Sequence, residues 1–279
     1  MPPSLFVLAC FWALLDTTSA TGAYGLRNLK VASCTINKAG STVVNRIMHA
    51  LNGITDAKVL EGLKLRGENA FESFANESLQ EILNDPSWTK FVVLREPAER
   101  FASGFQHKCI RGPRGKVFTL CPEINSELME DIDRVVSAVE SMAFRALKTN
   151  TKIADSHFRP ISEDCDLFNS SWKYSIVIYD YLEDDIIDVV STIPTITEER
   201  RRDVINAIHA LFPEDITKLK RMGNRAPPGS SAALANDWNS DIKYTSKDII
   251  PRLRSIYAHD YAIYEHYKAQ HTSRIKLHE

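Results

Sequence analysis

The chain has 279 residues, with 34 Lys and Arg against 36 Asp and Glu, giving a net charge of −2. That length suits one large α/β domain with an ample core. The near-neutral balance argues against general nucleic-acid binding, which shows a basic excess, so an anionic partner would have to meet a local basic patch.

The N-terminus reads as a targeting segment covering 1–20. Leu5 to Leu15 is an apolar run, Asp16 breaks it, and Thr18-Ser19-Ala20 fits a small-x-small cleavage site. The run is short of the roughly 20 residues that span a bilayer. It is either a processed signal peptide or a short uncleaved anchor, and membrane association is expected only through it. The remainder, 21–279, is expected to form one domain.

A buried strand is predicted at about 30–36, followed by Asn37-Lys38-Ala39-Gly40-Ser41-Thr42 and a helix from Ser41. Val43, Val44, Ile47, Met48 and Leu51 follow helical spacing there. Strand, turn and helix start in this order place backbone N–H groups and Lys38 around an anion. Gly40 permits close backbone approach, and Ser41 and Thr42 offer hydroxyl donors. A Walker A loop would need G-x-x-x-x-G-K-[ST]; here Lys38 precedes Gly40, which disfavours a nucleotide triphosphatase or kinase.

Glu68 and Glu72 follow, and Asn76-Glu77-Ser78 is a glycosylation sequon, as is Asn169-Ser170-Ser171. A second strand at about 90–94 leads into Arg95-Glu96-Pro97-Ala98-Glu99-Arg100-Phe101-Ala102-Ser103 and a helix through Phe105. Pro97 stops the strand, and the pattern R-x-P-x-x-R-x-x-S-x-[FY] sets Arg95, Arg100 and Ser103 at the carboxyl end of the strand. Arginine forks match phosphate oxygens in a bidentate way, and a serine on the next turns can close on the same group. Two anion sites on neighbouring parallel strands would hold a ligand with phosphate at both ends. That is the shape of 3′-phosphoadenosine-5′-phosphosulfate (PAPS), the sulfuryl donor.

The stretch His107 to Lys116 leaves this helix directly, and its His107, Lys108, Arg111, Arg114 and Lys116 form the natural acceptor patch. Cys34, Cys109, Cys121 and Cys165 allow three pairings, and sequence alone selects none. Cys109 and Cys121, flanking a Gly/Pro loop, are the best local pair, and Cys34 reads as a buried free thiol in the central strand. The cysteines are too scattered for a zinc site, and no metal is expected. A helix at about 126–148 follows, then a strand at 174–179, a helix from about 182, one near 197–211, a polar loop at 222–240 and a last helix at about 246–268. Arg200, Arg201 and Arg202 with their acidic neighbours read as a solvated helix face, and Tyr257, Tyr261 and Tyr264 as core.

The chain resembles the Golgi-type carbohydrate sulfotransferases that act on chondroitin, dermatan and related glycans. Their 5′-phosphosulfate loop reads C-x-x-x-K-x-x-[CS]-T, as Cys34 to Thr42 does here, and their 3′-phosphate motif is the Arg95 to Phe105 pattern. Asp155-Ser156-His157-Phe158-Arg159-Pro160 is close to the family's D-x-H-W-x-P. Tyr174 to Asp185 resembles its strand with Y-E-x-L-E-x-D, and Ile256 to Tyr264 its Y-x-x-D-[FY]-x-x-[FY] helix. The departures are Asn37 where many members have proline, Phe158 for tryptophan, and a shortened spacer between the two phosphate motifs.

The resemblance implies a P-loop-like fold with a central parallel sheet flanked by helices, PAPS as donor, and a lumenal or membrane-bound Golgi enzyme, or alternatively a secreted one. The acceptor would be a glycan, anionic or amino-sugar-containing. Lys38 would stabilise the leaving phosphate; Ala39 to Thr42, Arg95, Arg100 and Ser103 would bind the donor; Arg225 and Ser230 in the polar loop would close over it. His157 is the candidate general base, with a loop-orienting role beside Asp155 as the other reading and Glu68 or Glu72 as carboxylate alternatives. A non-enzymatic reading is a glycan-binding protein that kept the fold and lost transfer.

Overall fold

In a computed structural model the described residues are 22–62, 72–74, 76–105, 128–153, 155–212 and 249–278. In chain order they form β1 (Gly22–Leu26), β2 (Val31–Thr35), α1 (Ser41–Leu51), α2 (Ala57–Gly62), β3 (Glu72–Phe74), α3 (Asn76–Asn84), β4 (Thr89–Leu94) and α4 (Pro97–Phe105). There follow α5 (Leu128–Thr149), a helical turn at Leu167–Ser170, β5 (Ser175–Ile178), α6 (Leu182–Ser191), α7 (Glu198–Leu211), α8 (Ile249–Ile256) and α9 (Ala258–His278).

The strands make one five-stranded sheet in the order β3-β1-β2-β4-β5. β2, β4 and β5 run parallel, with Cys34 opposite Val92 and Val92 opposite Ile176. These are the three strands expected from the sequence. β2 is buried at every position and β4 at all but its first, as parallel strands covered on both faces must be. β1 runs antiparallel to both neighbours and was not expected, its GAYGL carrying two glycines that weaken the strand signal.

Residue alternation along the strands assigns each face a core. Val31, Phe91, Val93 and Val177 pack under α1, α6 and α7 through Ile47, Ile186, Val190, Val204 and Ile208. Ala32, Cys34, Val92, Leu94 and Ile178 face α3 and the segment from 161 to 174. A third cluster joins α4 to α5, α8 and α9 through Phe101, Phe105, Val135, Val139, Phe158 and Tyr257.

The predicted last helix is two helices, parted at Tyr257, whose hydroxyl donates to the Phe158 carbonyl at 2.8 Å. Tyr257, Tyr261 and Tyr264 are buried, as expected of core residues. Glu198, Glu199, Arg202 and Asp203 are exposed, as a solvated face requires, whereas Arg200 and Arg201 are half-buried. Their guanidinium groups donate to the Leu51 and Ile193 carbonyls, closing the C-terminal ends of α1 and of the segment after α6. No helix among the described residues is long and apolar enough to cross a membrane.

The expectation of a free Cys34 is corrected: it is disulfide-bonded to Cys165, with Cα atoms 6.0 Å apart. Cys34 projects onto the face covered by the segment after 155, and Cys165 and Asp166 take left-handed backbone angles (φ 51° and 55°) that fold this segment back upon it. Cys109 and Cys121 lie outside the described residues. The bridge spans 131 residues, so the loop-entropy model assigns it roughly 5 kcal/mol. Cys34→Ser with Cys165→Ser should lower unfolding free energy by about 2–5 kcal/mol, measurable by urea denaturation. An unchanged midpoint would mean that the segment is held by packing alone.

Candidate active site

β2 and β4 are adjacent and parallel, so the turns that follow them emerge side by side at one rim of the sheet. In the first turn, Lys38 and Gly40 both take left-handed backbone angles, φ 67° and 86°. Gly40 caps α1 with its backbone alone, and no acidic residue lies in the first turn. The Val43 and Val44 amides turn back to the Gly40 carbonyl at 2.9 and 3.0 Å. This leaves the helix start electropositive, beside Lys38 and the half-buried Ser41 and Thr42. Ala39 is buried beneath the loop. A Cβ on Gly40 would stand 3.3 Å from the Tyr179 ring, so glycine serves both the backbone angle and the close approach.

The second turn is built differently. Glu96 Oε2 accepts the Glu99 amide at 2.7 Å, so the start of α4 is already occupied by a carboxylate. Its anion-binding capacity therefore rests on side chains. Along α4 only Glu99 and Ser103 are not fully buried. Together with Arg95 they step four residues at a time up one face. Arg95 Nη1 donates to the Lys38 carbonyl at a long 3.4 Å, which shows the two turns side by side. Its Nε makes a 3.5 Å ion pair with Glu99, and its guanidinium lies 4.8 Å over the Tyr179 ring.

Arg100 does not join this face. It is 1% exposed, donates to the Arg159 carbonyl at 2.6 Å, and sits 3.8 Å from Asp260 and 5.4 Å from the Tyr257 ring. Asp260 in turn accepts the Ile161 and Ser162 amides at 2.8 and 3.0 Å. Burial pushes the Asp260 carboxyl up, against the pull of Arg100 and these amides. The second arginine of the pattern thus pins α4 to α9 and to the turn carrying His157.

That turn lies against both phosphate-type elements. Asp155 Oδ1 accepts the His157 amide at 2.9 Å and stands 3.1 Å from His157 Nδ1. Ser156 receives the Asn37 side-chain amide at 2.7 Å, and the His157 carbonyl lies 3.0 Å from where a Cβ on Gly104 would be. The turn of His157 therefore lies against both the Asn37-Lys38 loop and α4. His49 is buried within α1, where burial lowers its pKa. Asn169 is exposed, and its Nδ2 donates to Asp166 at 2.8 Å. Asn76 opens α3 and Glu72 lies in β3. His107, Lys108, Arg111, Arg114, Lys116, Arg225, Ser230 and Glu68 lie outside the described residues.

Tyr179, Glu99, Asn37 and Ser156 lie in stretches quoted from the sequence, but none was given a role there. The available signals were the motif stretch that contains Tyr179, the departure at Asn37, and position, since Tyr179 directly follows β5 and so shares the rim.

Three adjacent parallel strands of a mixed sheet, with cationic side chains in the turns after two of them, define an α/β protein with an anion-suited rim at the carboxyl ends of those strands. The comparison with known families narrows this: the Sulfotransferase family model matches residues 26–268, and the chain belongs to that family. It is also 27% identical over 163 residues to the Uncharacterized protein C18B2.2 of Caenorhabditis elegans, a match covering 54% of this chain and 44% of the relative. The matched region is therefore less than half of that protein's length. No solved structure matches the chain.

Proposed function

We propose that the protein moves a sulfuryl group from PAPS to a hydroxyl of a glycan, anionic or amino-sugar-containing. The observation that carries this reading is the Arg95–Lys38 contact, which sets a loop suited to the 5′-phosphosulfate directly beside a side-chain grip suited to the 3′-phosphate. The residues fit the donor: the N-cap of α1 carries no side chain, Gly40 takes the left-handed angle that turns the loop into the helix, and Arg95 Nε makes no hydrogen bond beyond its ion pair with Glu99.

In transfer, the acceptor oxygen forms a bond to sulfur as the bond from sulfur to the 5′-phosphate oxygen breaks. Lys38 and the α1 start neutralise the charge gathering on the leaving phosphate. Arg95 and Ser103 hold the 3′-phosphate and so fix the line of attack. Asp155 keeps a proton on His157 Nδ1, which leaves Nε2 as the basic nitrogen that takes the acceptor proton. A lumenal Golgi or secreted location is part of this proposal, supported by the Cys34–Cys165 bridge, since disulfides persist in oxidising compartments. The exposed Asn169 sequon is in keeping with it.

Calorimetry with adenosine 3′,5′-bisphosphate run against ATP, followed by labelled PAPS with a panel of desulfated glycans, tests the reading. Binding without transfer to any glycan would favour a glycan-binding protein. Preference for ATP would favour a kinase. Glu99, the one carboxylate on the donor face of α4, opposes phosphate and competes for Arg95. Glu99→Gln should tighten adenosine 3′,5′-bisphosphate about fivefold, equivalent to about 1 kcal/mol. Weaker binding in that variant would show that Glu99 instead holds Arg95 in its productive position.

A further inference from the structure

The turn carrying His157 is rigid within itself. The Phe158 and Arg159 amides both return to the Asp155 carbonyl at 3.0 Å, and Phe158 is fully buried, 5.4 Å from the Phe101 ring of α4. Its register against the phosphate-type loop is a separate matter. The disulfide reaches β2 only through Cys165, several residues further along, too far to place an imidazole. One contact that reaches the loop directly is side chain to side chain: Asn37, next to Lys38, donates to Ser156, next to His157, at 2.7 Å across 119 residues of sequence. Ser156 is 2% exposed, so water does not compete for this bond.

We propose that Asn37 and Ser156 are positioning residues for sulfuryl transfer, their hydrogen bond setting His157 in register with Lys38. This rests on the functional reading above, in which those two side chains act on opposite ends of one displacement. A general base must come within hydrogen-bond reach of the acceptor while the leaving group stays on Lys38, and a displacement of about 1 Å can cost about 100-fold in rate. A proline at position 37 has no side-chain donor and could not make this link.

The test uses the 279-residue chain with Asn37→Ala, Ser156→Ala and the double variant. With labelled PAPS and desulfated chondroitin as probe acceptor, each single variant should lose about 10- to 100-fold in kcat. Adenosine 3′,5′-bisphosphate should bind within about threefold of wild type, because Lys38, Arg95 and Ser103 remain in place. The double variant should be no slower than the worse single one, as for two ends of one bond. An acceptor-independent readout comes from NMR of ¹⁵N-labelled histidine. Adenosine 3′,5′-bisphosphate should shift the His157 imidazole in wild type, and that shift should fall by half or more in Ser156→Ala. Wild-type turnover in Ser156→Ala, additive losses in the double variant, or an undiminished imidazole shift would overturn the proposal. A wild-type protein that does not bind adenosine 3′,5′-bisphosphate would overturn the underlying functional reading.

Discussion

Lys38→Ala is expected to lower sulfuryl transfer by about 100- to 1,000-fold, the range seen when one preorganised charge is removed from a transition state. The lysine sits where the physical requirement is greatest, between β2 and an α1 start that has no side-chain cap and no acid in its first turn. In the proposed reaction, charge on the leaving phosphate grows as the sulfur–oxygen bond lengthens, so Lys38 would contribute more to the transition state than to the bound donor. The loss should therefore fall mainly on kcat, with a smaller change in donor affinity. Stability should hardly change. Lys38 is not part of the core clusters, and its left-handed φ of 67° is no worse for alanine than for lysine. Single-turnover rates with labelled PAPS, set beside a thermal melt, check both halves of the statement. A variant that melts like wild type and transfers at a similar rate would remove Lys38 from the mechanism.

The parts of this molecule that could be read in advance are those whose signal is local. β2, β4 and β5 are short apolar runs bounded by turn residues, and α1, α5 and α7 show their apolar faces at helical spacing, so these were placed within a few residues; α4 followed from Pro97 and its motif, and of α6 only the start was expected. Where several residues act across long separations, sequence gave little warning. The Cys34–Cys165 bridge spans 131 residues and depends on which sheet face Cys34 occupies and on two left-handed residues beyond it. Nearness in sequence favoured Cys109 and Cys121, a criterion blind to that geometry. Arg100 shows the same limit. Its place in the motif pointed to phosphate, yet one helical position separates Arg100 from Glu99, and about 100° of rotation turns it from the donor face into the core against Asp260. Tyr179 was passed over because its role exists only between elements, with the Gly40 turn on one side and the Arg95 guanidinium on the other.

Arg95→Ala should weaken adenosine 3′,5′-bisphosphate by about 30- to 100-fold, or about 2–3 kcal/mol, the worth of a charge-assisted hydrogen bond to phosphate. Adenosine 5′-phosphate, which lacks the 3′ group, should bind within about threefold of wild type. The contrast is informative because Arg95 also touches the 5′ loop through the Lys38 carbonyl. That bond is 3.4 Å long and so contributes little, and the loop keeps its own Gly40 turn and α1 start. Arg95→Lys should recover only part of the loss, since an ammonium supplies charge without the fork that can pair two phosphate oxygens while lying over Tyr179. Ser103→Ala, which removes one neutral donor from the same face, should cost less, about 0.5–1.5 kcal/mol. Calorimetry on the four proteins with both nucleotides decides the matter. Equal losses for the two ligands would mean that Arg95 braces the paired turns, and the 3′-phosphate would then have to be held by other residues.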